Sequence, residues 1–129
     1  MRKPPPLASL AAAAALLPLL AGCHGGRSTP SVEIVPGGNA RIGAGLIERF
    51  RCGACHMIPG IKGADGLVGP PLILFARRTY VGGEVPNTPP NLIRWIQDPQ
   101  SIEPGTAMPA LGLNERQARD VAAYLYTLR

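Results

Sequence analysis

The run Cys52-Gly53-Ala54-Cys55-His56 places two thiols three positions apart, with an imidazole directly after the second. On a helical turn, thiols so spaced reach the two vinyl groups of a haem and form thioethers. The adjacent imidazole then lies under the iron as its proximal ligand. C-x-x-C-H is the attachment pattern of c-type haem. Other chemistries of paired cysteines lack their context here. A thioredoxin-like redox pair sits beside a βαβ pattern, and no such strands can be read in this chain. A zinc site needs a fourth ligand, and the remaining His and Cys are His24 and Cys23, close to the N-terminus. A disulfide between Cys52 and Cys55 is strained at this spacing.

Haem iron in an electron carrier usually takes a second axial ligand, and Met opposite His raises the reduction potential. The chain has three Met residues. Met1 belongs to the leader described below, and Met57 follows His56 too closely to reach the opposite face of the ring. Met108 is left, in Pro104-Gly105-Thr106-Ala107-Met108-Pro109. Its flanking prolines and glycine mark a loop from which the side chain is free to point inward. The competing role for Met108 is that of a core filler, since Met packs adaptably. The expected iron ligands are therefore His56 and Met108, with one covalent haem c on Cys52 and Cys55.

The N-terminus reads as an address. Arg2 and Lys3 precede an apolar Ala/Leu run from Leu7 to Leu20 that is interrupted by Pro18. The run is well short of the roughly 20 residues needed to span a bilayer, so residues 1–22 are read as a secretory signal peptide. Leu20-Ala21-Gly22-Cys23 resembles the lipobox of bacterial lipoproteins, in which the cysteine is lipidated and becomes the mature N-terminus. That resemblance implies a lipid anchor at Cys23; more than one acyl chain there would hold the protein stably to a membrane. Residues 24–38 are rich in Gly, Pro and Ser, and residues 23–38 are read as an anchored tether. Such a stretch averages roughly 20 Å end to end and cannot exceed about 50 Å.

From about Asn39 to Arg129 the chain resembles a class I cytochrome c. The resemblance is carried by His56, Gly69-Pro70-Pro71-Leu72, Pro-Gly-Thr-x-Met at 104–108 and a terminal helix ending in Ala-Ala-Tyr-Leu, in that order. It implies an all-α fold of three to five helices around one covalently bound haem, attached outside the cytoplasm. It implies that Pro70 offers its carbonyl to the free N–H of the proximal imidazole, and that the last helix packs across the first. Trp95 resembles an aromatic that lines the haem pocket on the Met side, although a lone Trp serves equally well as core. In the family a glycine eight residues before the first haem Cys lies where two helices cross closely. Here that position is Ala44, between Gly43 and Gly45. The segment from Asn87 to Pro99 is similar to haem domains fused to, or working with, bacterial respiratory oxidases.

The elements that must position these side chains can be read locally. Asn39 caps a helix from Ala40 to about Arg51, with Leu46, Ile47 and Phe50 at helical spacing and Gly43 on the same side. Residues 59–71 are a loop, and a short helical stretch is expected around 72–76. Thr88 and Pro89 open a helix through Leu92, Ile93 and Ile96, which Pro99 ends. Asn114, with Gln117 three residues on, opens a final helix whose Ala118, Val121, Ala122, Leu125 and Leu128 share a face. No strand-rich stretch is apparent.

Charge and composition narrow the function. The formal net charge is +5, and removing Arg2 and Lys3 leaves 11 basic against 8 acidic residues. No basic run extends beyond Arg77-Arg78 and no aromatics interleave, so nucleic-acid binding finds no support. Arg77 is a candidate for holding a haem propionate through charge-assisted hydrogen bonds; the alternative is an exposed, solvated pair of arginines. With only six aromatic residues, a domain this small needs a staple, and a buried haem supplies apolar surface. The reading is of an electron-transfer protein on the periplasmic side of a membrane, not an enzyme, with no small-molecule substrate. A quinol-oxidising complex or dehydrogenase would reduce it and a terminal oxidase would oxidise it. A haem enzyme or gas sensor would need an open iron site, and a permanently docked subunit is the third alternative.

Overall fold

A computed structural model describes Met1 and residues 34–129 of the chain. The expected signal peptide, the lipidation site Cys23 and most of the tether lie outside the described residues. Three α-helices are present among the described residues: α1 (Ala40–Arg49), α2 (Pro89–Gln97) and α3 (Glu115–Leu125). None is long and apolar enough to cross a membrane. Short 3₁₀ turns occupy Cys52–Ala54, Phe75–Arg77 and Pro99–Ser101.

α1 begins where the Asn39 side chain accepts from the N–H groups of Arg41 and Ile42, satisfying two of the donors a helix start leaves open. It buries Gly43, Leu46 and Ile47. Those residues meet α3, whose Ala118, Val121, Ala122 and Leu125 are buried in the same core. The closest approach is at Gly43: a Cβ there would stand 2.0 Å from the Asp120 carbonyl oxygen, whereas one at Gly45 would meet nothing within 4 Å. The glycine that the crossing requires is thus one position before Ala44. Asp120, only 3 % exposed, accepts the Asn39 N–H at 2.8 Å and faces Arg116 at 3.8 Å. A carboxylate from α3 therefore sits at the N-terminus of α1, where the helix dipole favours negative charge.

α3 carries the reciprocal capping box that its sequence predicts. Gln117 N–H donates to the Asn114 side chain at 2.9 Å, and Asn114 N–H donates to the Gln117 side chain at 3.0 Å. α2 starts with prolines in its first turn, whose missing N–H groups cost nothing there. Thr88 occupies its N-cap but makes no side-chain cap bond. α2 buries Leu92, Ile93, Trp95 and Ile96.

The segment just before α1 packs onto the domain: Val35 is 3 % exposed within the core, and Arg119 donates to the Pro36 carbonyl at 3.2 Å. Two details correct the sequence reading. The fold is mostly helical rather than wholly so. Tyr80–Val81 and Val85–Pro86 form a two-stranded antiparallel ribbon, with Val81 opposite Val85. Gly82 and Gly83, both at positive φ, make its turn, and a side chain at Gly82 would collide with the Trp95 ring. Finally, the short helical stretch near 72–76 is a 3₁₀ turn at Phe75–Arg77, entered through Leu74 in the left-handed region.

Candidate functional site

The chain leaves α1 through Arg51, a non-glycine residue at φ 56°. Left-handed backbone costs about 1–2 kcal/mol for an L-residue, and here it redirects the chain into the Cys52–Ala54 turn. Cys55 N–H and His56 N–H both donate to the Cys52 carbonyl, at 3.2 and 3.0 Å. Cys52 and Cys55 are thus on one turn, both half-buried and neither in a disulfide. Burial pushes the Cys52 thiol above its ordinary pKa; the neighbouring Cys55 adds to this and a backbone hydrogen bond opposes it.

The His56 ring is fixed on two sides. Its Nδ1 bonds the Pro70 carbonyl at 2.8 Å. A carbonyl can only accept, so Nδ1 is the donor, and in the neutral ring the lone pair is then on Nε2. The ring also lies against Gly69, where a Cβ would stand 2.4 Å from Cε1. The segment that delivers Gly69 and Pro70 is stitched back onto the cysteine turn. Gly66 N–H donates to the Gly53 carbonyl at 3.0 Å, Gly69 N–H to the Cys55 carbonyl at 2.8 Å, and Leu72 N–H to the Met57 carbonyl at 2.7 Å. Gly53 and Gly66 are themselves required by close approach, to Ala64 and to Ala54 and Cys55. The tip of this segment leaves Leu67 and Val68 82 % and 80 % exposed.

Met108 is half-buried and packs against the core from its Pro/Gly loop. Gln100 donates to the Met108 carbonyl at 2.7 Å and to the Thr106 carbonyl at 3.5 Å. Sequence reasoning missed Gln100; its position directly after the Asp98-Pro99 helix stop is the only local signal. Trp95, on the buried face of α2, has its ring against Gly82 of the ribbon turn. The two arginines have different surroundings. Arg77 lines a cavity of about 520 Å³ with Ile34, Ala76, Tyr126 and Arg129. Arg78 is the one that reaches the imidazole's loop: its guanidinium donates to the Pro71 carbonyl and stacks over Phe75 at 5.4 Å.

These residues fit a covalently held haem. Two free thiols share one turn, an imidazole has its accepting nitrogen free, and a glycine cradle beside the ring excludes any side chain. Among the described residues no group of three or more His, Cys, Asp or Glu could hold a metal ion, so the zinc alternative has no ligand set there.

Comparison with known proteins gives the same direction. Residues 40–129 match the family model for cytochrome c. Subunit 2 of cytochrome c oxidase from Alkalihalophilus pseudofirmus is 34 % identical over 91 residues, covering 70 % of this chain and 26 % of that protein. The same subunit from Bacillus subtilis is 35 % identical over 71 residues, 54 % of this chain and 20 % of that protein. The chain spans about a quarter or less of the length of these curated relatives.

Proposed function

The chain belongs to the cytochrome c family and carries covalently bound haem c, and from that premise we propose that it is a membrane-tethered carrier of single electrons. Cys52 and Cys55 would hold the haem through thioethers, and His56 Nε2 and Met108 Sδ would ligate its iron. The haem provides the redox couple; the protein's part is to hold, bury and tune it. The observation that carries the reading is the His56 Nδ1–Pro70 bond. It fixes the tautomer and leaves Nε2 as a ready, strengthened ligand. With both residues ligating, the iron would be closed to a substrate, and the protein would do no bond chemistry of its own.

The similarity to oxidase subunit 2 favours a terminal oxidase as electron acceptor, with a quinol-oxidising complex or dehydrogenase as donor. Lipidation at Cys23 would place the carrier on the periplasmic side of a membrane. Because the chain packs onto the domain from Val35, the intervening stretch reaches at most about 40 Å.

The test is a visible spectrum of the protein matured in a host that exports it and attaches haem. Reduced-minus-oxidised bands that survive extraction by acidified organic solvent, with the weak far-red band of iron–methionine in the ferric form, are expected. The far-red band should vanish in Met108→Ala, whose reduced form should bind carbon monoxide. Haem bound without that band in the wild type would point to open-site chemistry instead. Cys23→Ala should move the protein from membrane to soluble fractions, and its retention on membranes would overturn the anchor.

A further inference from the structure

The Met108 loop has almost no backbone support of its own. Among the described residues, Thr106 N–H donates to the Glu103 carbonyl at 3.1 Å, and no backbone-to-backbone hydrogen bond involves 107–113. Side chains hold it instead. Thr106 Oγ1 accepts a long bond from Met108 N–H at 3.4 Å, and Gln97 donates to the Leu113 carbonyl at 3.5 Å. The shortest of these contacts is Gln100 Nε2 to the Met108 carbonyl, at 2.7 Å.

Gln100 is itself firmly based. It lies in the Pro99–Ser101 turn, where the Asp98 side chain accepts from Ser101 N–H and Ser101 Oγ donates to the Asp98 carbonyl at 2.8 Å. Pro99 beneath it is fully buried, and Glu103 N–H returns to the Pro99 carbonyl at 2.9 Å. A side-chain amide has two N–H donors and so can hold two carbonyls at once. One end of this clamp is thus rooted in the core, and the other grips the residue that would ligate the iron.

We propose that Gln100 is the positioning residue for Met108, setting how readily the methionine sulfur yields the iron to another ligand. The proposal rests on the reading of Met108 as an axial ligand. A methionine–iron bond is weak enough to be displaced by imidazole, and where the Met108 backbone moves with the departing sulfur the loop must swing. A bond that the loop must break first raises the cost of displacement, by the net worth of a hydrogen bond. Gln100 touches neither iron nor sulfur, so its effect must pass through Met108.

The experiment is imidazole titration of the ferric holoprotein, followed at the far-red band. Gln100→Leu removes the donors at similar size, and Gln100→Glu keeps the shape while placing a carboxylate against two carbonyl oxygens. Each should bind imidazole about fivefold more tightly than wild type, equivalent to about 1 kcal/mol. Asn91→Ala, which removes a comparable surface bond to the Pro86 carbonyl, should leave the affinity unchanged. In a Met108→Ala background, where there is no sulfur to displace, Gln100→Leu should have no effect. Wild-type affinity in both Gln100 variants would overturn the proposal, as would an increase that persists without Met108. Should Met108→Ala itself keep the far-red band and the wild-type affinity, the axial assignment falls and the positioning role falls with it.

Discussion

The two sides of the candidate haem site are held in opposite ways. On the His56 side, backbone grips backbone: 53 to 66, 55 to 69, 57 to 72 and 58 to 64 are joined by N–H···O bonds of 2.7–3.0 Å, and three glycines allow contact that no side chain could enter. On the Met108 side, a Pro/Gly loop leans on the core and is fastened by side-chain amides. A backbone clasp of several bonds opens only as a unit, whereas a loop pinned by a few side-chain bonds can open alone at lower cost. Under the proposed ligation the two residues would differ in character: His56 would be built in, and Met108 would be the one that exchanges.

The sharpest way to break this comparison is Gly69→Val. Its Cβ would sit 2.4 Å from the His56 ring, so the ring must leave Pro70; the cost should exceed about 3 kcal/mol, with the yield of covalent haem collapsing. A near-wild-type yield would mean that the cradle does not govern the imidazole. Gly53→Val drives a side chain into Ala64 and should cost about 2–3 kcal/mol by guanidinium denaturation of the holoprotein. Gly105→Ala tests the other side. No atom lies within 4 Å of a Cβ there, but φ is +91°, so strain of about 1–2 kcal/mol is expected. That strain should fall on the loop: the far-red band should disappear at lower denaturant than the helical signal, while in Gly53→Val the two should be lost together. Coincident transitions in both variants would erase the distinction. The smallest effect is expected from Asn114→Ala, which removes the cap bond to Gln117 and should cost about 1 kcal/mol without moving the band relative to the fold.

The parts that the sequence made legible are those encoded by neighbours. Asn114 and Gln117 are three residues apart and cap one helix; Cys52, Cys55 and His56 share a turn; Pro89 and Pro99 bracket α2. What could not be read depends on pairs far apart in the chain. Gly43 rather than Ala44 meets Asp120 because of the angle at which α3 arrives, and no periodicity within α1 contains that angle. Val35 looks like linker until the fold buries it. The ribbon strands are two residues each, too short for alternation to register, and Gly82-Gly83 was its one local sign. Arg77 and Arg78 are adjacent and chemically alike; only the left-handed turn at Leu74 decides which of them reaches Pro71.

The Asn39–Asp120 bond joins residues 81 positions apart, and Ala76 N–H reaches the carbonyl of Leu128. The point where the chain enters the domain therefore lies beside its last helix. Closing so long a loop costs entropy that the contacts between the two terminal helices must offset, and it slows folding relative to local contacts. The same closure makes the unit transplantable. A domain whose entrance and exit are side by side can be appended to a host protein, or carried on a short stalk, without stretching its own core.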